Sequence, residues 1–169
     1  MSDFVAWPKT PRWTNEHIII TEKIDGTNAQ IYIHEDLSTI EVGSRNRWIT
    51  PEDDNFGFAR WVYENKEAVL TLGRGRHYGE WWGLGIQRGY NQERKRFSLF
   101  NTERPRENLP EGMDVVPVLY RGPYTEAAIQ AACDQIKESS VAVPGYTNAE
   151  GICIYMRSTK QVYKIPFNK

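Results

Sequence analysis

Only two of the 169 residues are cysteine, Cys133 and Cys153. That is too few for a disulfide framework or a zinc-binding set. Two reduced thiols in a cytoplasmic protein are the expectation. No apolar run comes near the roughly 20 residues that a membrane-spanning helix needs. The N-terminus (Met1-Ser2-Asp3-Phe4) lacks a basic stretch followed by an apolar one, so no secretory leader is legible. Neither sign of charge dominates, since 21 Lys and Arg face 22 Asp and Glu. A polycation that coats nucleic acid along its whole length is thereby excluded. Repeats and low-complexity linkers are missing too, so one domain over residues 1–169 is expected.

Aromatic mass, by contrast, is plentiful: six Trp, nine Tyr and six Phe. That much apolar surface excludes disorder as the main state. A chain of this size buries about 70% of its unfolded surface and needs no staples. His17 to Lys23 reads as a strand, Asp25-Gly26-Thr27-Asn28 as a turn in which Gly26 can take positive φ, and Ala29 to Ile33 as a second strand. Thr39 to Val42 makes a third. Thr50-Pro51-Glu52-Asp53 has the chemistry of a helix start, with Thr50 as cap and the helix running to about Leu70. Its inward face would hold Phe58, Trp61 and Val62. Further strands are expected at His77 to Trp82, Phe97 to Phe100 and Val115 to Tyr120, the last interrupted by Pro117. Thr125 to Lys137 predicts a helix, and Gly151 to Arg157 with Lys160 to Ile165 a hairpin. Hairpin links and few helices point to an α+β protein of antiparallel sheets with packed helices. Alternation along the fourth of these strands places one of Trp81 and Trp82 in the core.

Charge is uneven along the chain. Arg88, Arg94, Lys95, Arg96, Arg104 and Arg106 meet only Glu93 and Glu103 in that interval. A local basic strip on a nearly neutral protein suits a polyanion held at one place, or else a solvated loop. The focal point lies elsewhere, in Glu22-Lys23-Ile24-Asp25-Gly26-Thr27-Asn28. A lysine at a strand end is held rigidly. With another cation or a metal beside it, its amine can lose a proton and attack phosphorus.

Taken in order, the pieces resemble the ATP-dependent RNA ligase family of covalent nucleotidyltransferases. Lys23-Ile-Asp-Gly-Thr-Asn28 resembles the family's first motif and Gly43-Ser44-Arg45 the next. His77-Tyr78-Gly79-Glu80-Trp81-Trp82-Gly83 is similar to the third. Phe97-Ser98-Leu99-Phe100-Asn101 follows, then Ala149-Glu150-Gly151-Ile152 and Val162-Tyr163-Lys164-Ile165. Together they span Glu22 to Ile165. The resemblance implies a nucleotidyltransferase (ATP-grasp-like) fold; relatives commonly carry a C-terminal accessory domain, and none is expected here. It also implies the following site. Lys23 attacks the α-phosphorus of ATP, expels pyrophosphate and carries AMP. Arg45 holds phosphate with its planar donor fork. Glu80 accepts from the ribose hydroxyls. Phe100 stacks on adenine. Glu150 binds Mg²⁺ or Mn²⁺ through oxygen. Lys164 stabilises charge at the α-phosphate. Glu22, Asp25 and Gly26 complete the nucleotide contacts. AMP then passes to an RNA 5′-phosphate, and a 3′-hydroxyl seals the strand, as in RNA repair. Asn28, Gln87, Arg88, Arg94, Lys95 and Arg96 are the expected RNA contacts.

Three features depart from the family pattern. Val162 and Pro166 flank Lys164 at the spacing where the fifth motif often has a second lysine. Asn101 stands where many relatives carry Asp. The chain ends five residues after Lys164, which implies a minimal catalytic module. A monomer without an obligate protein partner or membrane contact is expected. Two alternatives stay open: a capping-type guanylyltransferase, which would use GTP, and a nucleotide- or RNA-binding module that has lost catalysis.

Overall fold

A computed structural model of the chain describes residues 1–13 and 15–167. It is an α+β fold built on two sheets. One contains β1 (His17–Lys23), β8 (Val118–Pro123), β9 (Gly151–Met156) and β10 (Gln161–Pro166), in the order β10-β9-β1-β8. The other contains β2 (Thr27–Ile33), β3 (Ile40–Gly43), β4 (Trp48–Ile49), β5 (Gly75–Gly83), β6 (Lys95–Leu99) and β7 (Met113–Val115), in the order β4-β3-β2-β5-β6-β7. Every pairing is antiparallel except β6 with β7. Among the described residues three α-helices cover the sheets: α1 (Phe58–Glu64), α2 (Lys66–Leu70) and α3 (Glu126–Glu138).

Alternating side chains build a separate core for each sheet. Ile18 and Ile20 of β1 join Ile152 and Ile154 of β9 beneath Cys133 and Ile136 of α3. Ile31 and Ile33 of β2 join Val42, Trp81, Phe97 and Leu99 beneath Phe58 and Val62 of α1. Each fully buried isoleucine contributes about 1.5–3 kcal/mol. Phe58 lies 5.1 Å from Trp81 and 4.9 Å from Phe97, centroid to centroid, in tilted contact. A third cluster holds Ile24, Trp82, Tyr90 and Val116 between the sheets.

Both Trp81 and Trp82 are therefore buried, not one of the pair. They point to opposite faces of β5, and both faces are covered there. Four other expectations are corrected. No helix begins at Thr50, because Thr50 and Asp53 close on each other through paired backbone hydrogen bonds. Phe56 and Gly57 then take positive φ, and α1 begins at Phe58. The Asp54 carboxylate accepts from the backbone N–H of Ala59 (2.8 Å) and Arg60 (3.0 Å) at that start. Asn65 interrupts the helix into two. The segment Val115 to Tyr120 is two strands, β7 and β8, in different sheets, divided at Val116-Pro117. Gly26 does not use positive φ; it is small because a Cβ there would meet Trp82 Cβ at 2.7 Å and the Trp81 carbonyl closer still.

Candidate functional site

A cleft separates the two sheets, and β1 delivers Lys23 to it. Ile19, Thr21 and Lys23 face the cleft, while Ile18, Ile20 and Glu22 face α3 and its flanking loop. Lys23 Nζ lies 2.9 Å from Glu150 Oε1. The second carboxylate oxygen of Glu150 is buried without a hydrogen-bond partner. Among the described residues it is the one orphaned side-chain polar atom of that kind.

On the opposite wall, β2, β3 and β5 supply a connected polar set. Gly26 N–H donates to Glu80 Oε2 at 2.9 Å. The Asn28 amide, oriented as its neighbours require, donates to Glu80 Oε1 at 2.8 Å. Its oxygen accepts from Arg45 Nε at 3.2 Å. One asparagine thus fixes both the guanidinium and the carboxylate. Burial pushes Glu80 up to about 7, against the opposing pull of the Gly26 N–H and the nearby Lys23.

The cleft has two lobes that share Lys23, Asn28, Arg45 and Glu80. One is an apolar lobe of about 720 Å³ bordered by Ile19, Ile24, Phe100, Val116, Tyr155 and Val162. The other is a polar lobe of about 460 Å³ bordered by the 25–28 turn, Ser44 to Arg47, Asn55 and Glu150. A flat apolar ring suits the first and a string of phosphates suits the second. Lys23 stands where they meet.

Comparison with known proteins shows the family of the chain and its fold. Residues 16–166 match the family described as RNA ligase. The chain belongs to the RNA ligase family. Its fold is similar to that of Naegleria gruberi RNA ligase with PPi, with a TM-score of 0.63 at 21% identity over 91% of this chain and 50% of that one. A lysine-to-alanine variant of the same ligase, with ATP and Mn, gives 0.61 at 22% identity over 91% and 50%. At that identity the likeness shows the fold, and the chain spans about half the length of those ligase structures. No curated protein matches.

Several residues expected at an RNA ligase site stand elsewhere or are engaged. Glu22 borders the apolar lobe, but its carboxylate accepts from Ser140 Oγ (2.6 Å) and from the N–H groups of Val141 (2.8 Å) and Ala142 (2.9 Å). Consecutive strand residues point to opposite faces, so Glu22 and Lys23 cannot both present side chains to one nucleotide. Asp25 borders the polar lobe but is paired with Arg88 at 2.9 Å. The Asp25 N–H donates to Tyr90 Oη at 2.9 Å, and burial holds that phenol far above its usual range. Phe100 is exposed at the mouth of the apolar lobe, next to Asn101. Lys164 projects from β10, opposite Cys153 in register, with Val162 bordering the same lobe. The second lysine of the family pattern is therefore absent from the cleft at Val162.

The side chains of the basic strip have partners within the protein. Arg94 pairs with Glu111 at 2.9 Å, Lys95 Nζ donates to Phe56 O at 2.8 Å, and Arg106 pairs with Asp114 at 2.6 Å. Arg96 donates to Gln92 Oε1 at 3.3 Å and lies over the Trp82 ring. Arg104 donates to Leu72 O at 2.8 Å. Gln87 is exposed and borders neither lobe. Sequence reading missed Asn55, Cys153 and Tyr155, which border the cleft. For Cys153 and Tyr155 the signal was available, since alternate residues after Gly151 must face the same side as Lys23. Burial pushes the Cys153 thiol up. Among the described residues no helix is long and apolar enough to cross a membrane.

Proposed function

We propose that the chain is an ATP-dependent RNA ligase that works through a lysyl-AMP intermediate. The observation that carries the reading is the position of Lys23 Nζ, at the junction of an apolar lobe and a polar, cation-bearing lobe. Adenine occupies the apolar lobe against Phe100, and the ribose hydroxyls donate to Glu80. The triphosphate lies along the polar lobe beside Arg45. Lys23 Nζ, having lost its proton, attacks the α-phosphorus. An N–P bond forms, the bond from phosphorus to the bridging oxygen breaks, and pyrophosphate leaves. Lys164 adds positive charge that stabilises the developing phosphate charge. AMP then passes to an RNA 5′-phosphate, regenerating the Lys23 amine. A 3′-hydroxyl attacks that activated phosphate and releases AMP.

The residues present fit a divalent cation. Glu150 offers a buried, unpartnered oxygen, the ligand type that Mg²⁺ and Mn²⁺ take. Among the described residues no cluster of three acidic, His or Cys side chains forms a cage. Further ligands would therefore be nucleotide phosphates and water, as is usual for Mg²⁺. The ion would supply neutralisation of the triphosphate charge.

The test is covalent labelling. The protein, mixed with ATP labelled at the α-phosphate and a divalent metal, then denatured, is expected to retain label. Lys23→Ala is expected to lose it while unfolding at the same temperature. Label from GTP in place of ATP would favour the guanylyltransferase. Label on Lys23→Ala would remove the nucleophile assignment.

A further inference from the structure

The strip from Arg88 to Arg106 is engaged by internal partners, and among the described residues other surfaces carry arginines that make no ion pair. One is continuous with the cleft. The face of β2 and β5 that carries Asn28 and Glu80 runs outward in register: Asn28 opposite Glu80, Gln30 opposite Tyr78, Tyr32 opposite Arg76. At the inner end this face is covered, with Trp82 1% exposed. At the outer end it is open, with Tyr78 51% exposed and Arg76 exposed beside it.

The open end has the chemistry of a stacking platform. The Arg76 guanidinium carbon sits 4.4 Å from the centroid of the Tyr32 ring, and Tyr32 packs on His34 at 4.4 Å. Among the described residues neither Arg74 nor Arg76 makes an ion pair, unlike Arg88, Arg94 and Arg106. Glu41 lies across from Tyr32 but is held by His34 at 2.8 Å. The platform is tied to the nucleotide cleft at two points. Gln30 Nε2 donates to the Ser44 carbonyl (3.1 Å), next to Arg45. The Phe100 N–H donates to the Tyr78 carbonyl (2.9 Å). Strand geometry puts Tyr78 about 7 Å and Arg76 about 14 Å from Glu80 along β5.

We infer that this outer face, with Tyr78 and the Arg76–Tyr32 stack at its centre, binds unpaired nucleotides of the RNA strand that enters the cleft. Exposed aromatic rings and guanidinium planes take base faces, and free arginines take phosphates. Paired bases hide their faces, so a duplex gains nothing from Tyr78. The inference rests on the RNA ligase reading of the cleft.

Fluorescence anisotropy with a 5′-phosphorylated single-stranded RNA 12-mer tests it, across a salt series, beside the ATP labelling assay. Arg76→Ala with Tyr78→Ala is expected to take label from ATP as the unaltered protein does. Its RNA affinity is expected to fall by at least about tenfold. Arg76→Ala alone should lower the slope of log K against log salt by about 0.7. Tyr78→Phe, which keeps the ring and the fold, is expected to bind RNA like the unaltered protein. Superimposable RNA titrations for the double variant and the unaltered protein would overturn the inference. So would an equal loss of blunt-duplex binding in Tyr78→Ala, because stacking would then not be the cause. RNA affinity lost in the variants of a protein that takes no label would sink the lysyl-AMP reading and leave this surface standing.

Discussion

Glu80 is stabilised in the wrong protonation state for its proposed task. Its pKa, about 7 in the fold, lies above the ordinary 4.5 because burial disfavours the anion. The folded protein therefore holds a proton that the unfolded chain has released between those values. The contribution is full below about pH 4.5 and is lost as pH rises through 7, a total of about 3 kcal/mol. Urea unfolding at pH 5 and pH 8 should show that fall, and Glu80→Gln should flatten it. An unaltered pH slope in the variant would place the titration elsewhere. Ribose hydroxyls need the anion as acceptor, so ATP binding should release a proton near pH 7. Calorimetry in two buffers of different ionisation enthalpy measures that release directly. At this scale much of the site was legible. Lys23, Arg45, Glu80, Phe100, Glu150 and Lys164 all border one cleft. The pair Arg88 and Asp25 was not, because 63 residues separate partners that only the fold brings together. Glu22 borders the apolar lobe, but its carboxylate is turned to Ser140 and the following N–H groups, as strand alternation beside Lys23 requires.

Elements were legible where local chemistry was decisive and misread where tertiary contacts overrode it. The helix expected from Thr125 is there, and Thr125 caps α3 by accepting from the Ala128 N–H at 3.0 Å. Its sequence twin at Thr50 does not, because the Thr50–Asp53 turn closes first and a positive φ at Phe56 and Gly57 redirects the chain. The cap of α1 falls instead to Asp54, four residues on. Asp54→Ala should cost about 1 kcal/mol of stability, within the usual range for a lost cap. The same variant should still take label from ATP, since α1 lies on the far face of the sheet from Glu80. A loss of unfolding free energy below about 0.2 kcal/mol in urea would show that the turn alone holds the helix start. The division at Val116-Pro117 was foreshadowed by the proline. Which sheet each half would join was not, since that depends on partners in β6 and β1.

For the whole molecule, the cleft draws on both sheets, so its occupant should stabilise both cores together. ATP at one hundred times its dissociation constant adds about 2.7 kcal/mol. For a chain of this size the thermal midpoint should rise by roughly 5–10 °C. An unmoved midpoint at saturating ATP and divalent metal would exclude the cleft as a nucleotide site. The α+β class and the antiparallel sheets were legible from strand patterns and turns. The assignment of strands to two sheets was not, because alternation says which residues are buried and not against what.

Among the described residues the backbone passes from one sheet to the other only twice, between Lys23 and Thr27 and between Val115 and Val118. The two passages touch: Glu22 N–H donates to the Pro117 carbonyl at 3.1 Å, and Ile24 and Val116 share one apolar cluster. Together they form one seam. Arg45 and Glu80 stand on one side of it, Glu150 and Lys164 on the other, and Lys23 at its edge. A load that parted the two sheets would draw the walls of the cleft from each other and leave Lys23 with the seam. In the proposed reaction the attacking amine would thus belong to the part of the chain that both sheets share.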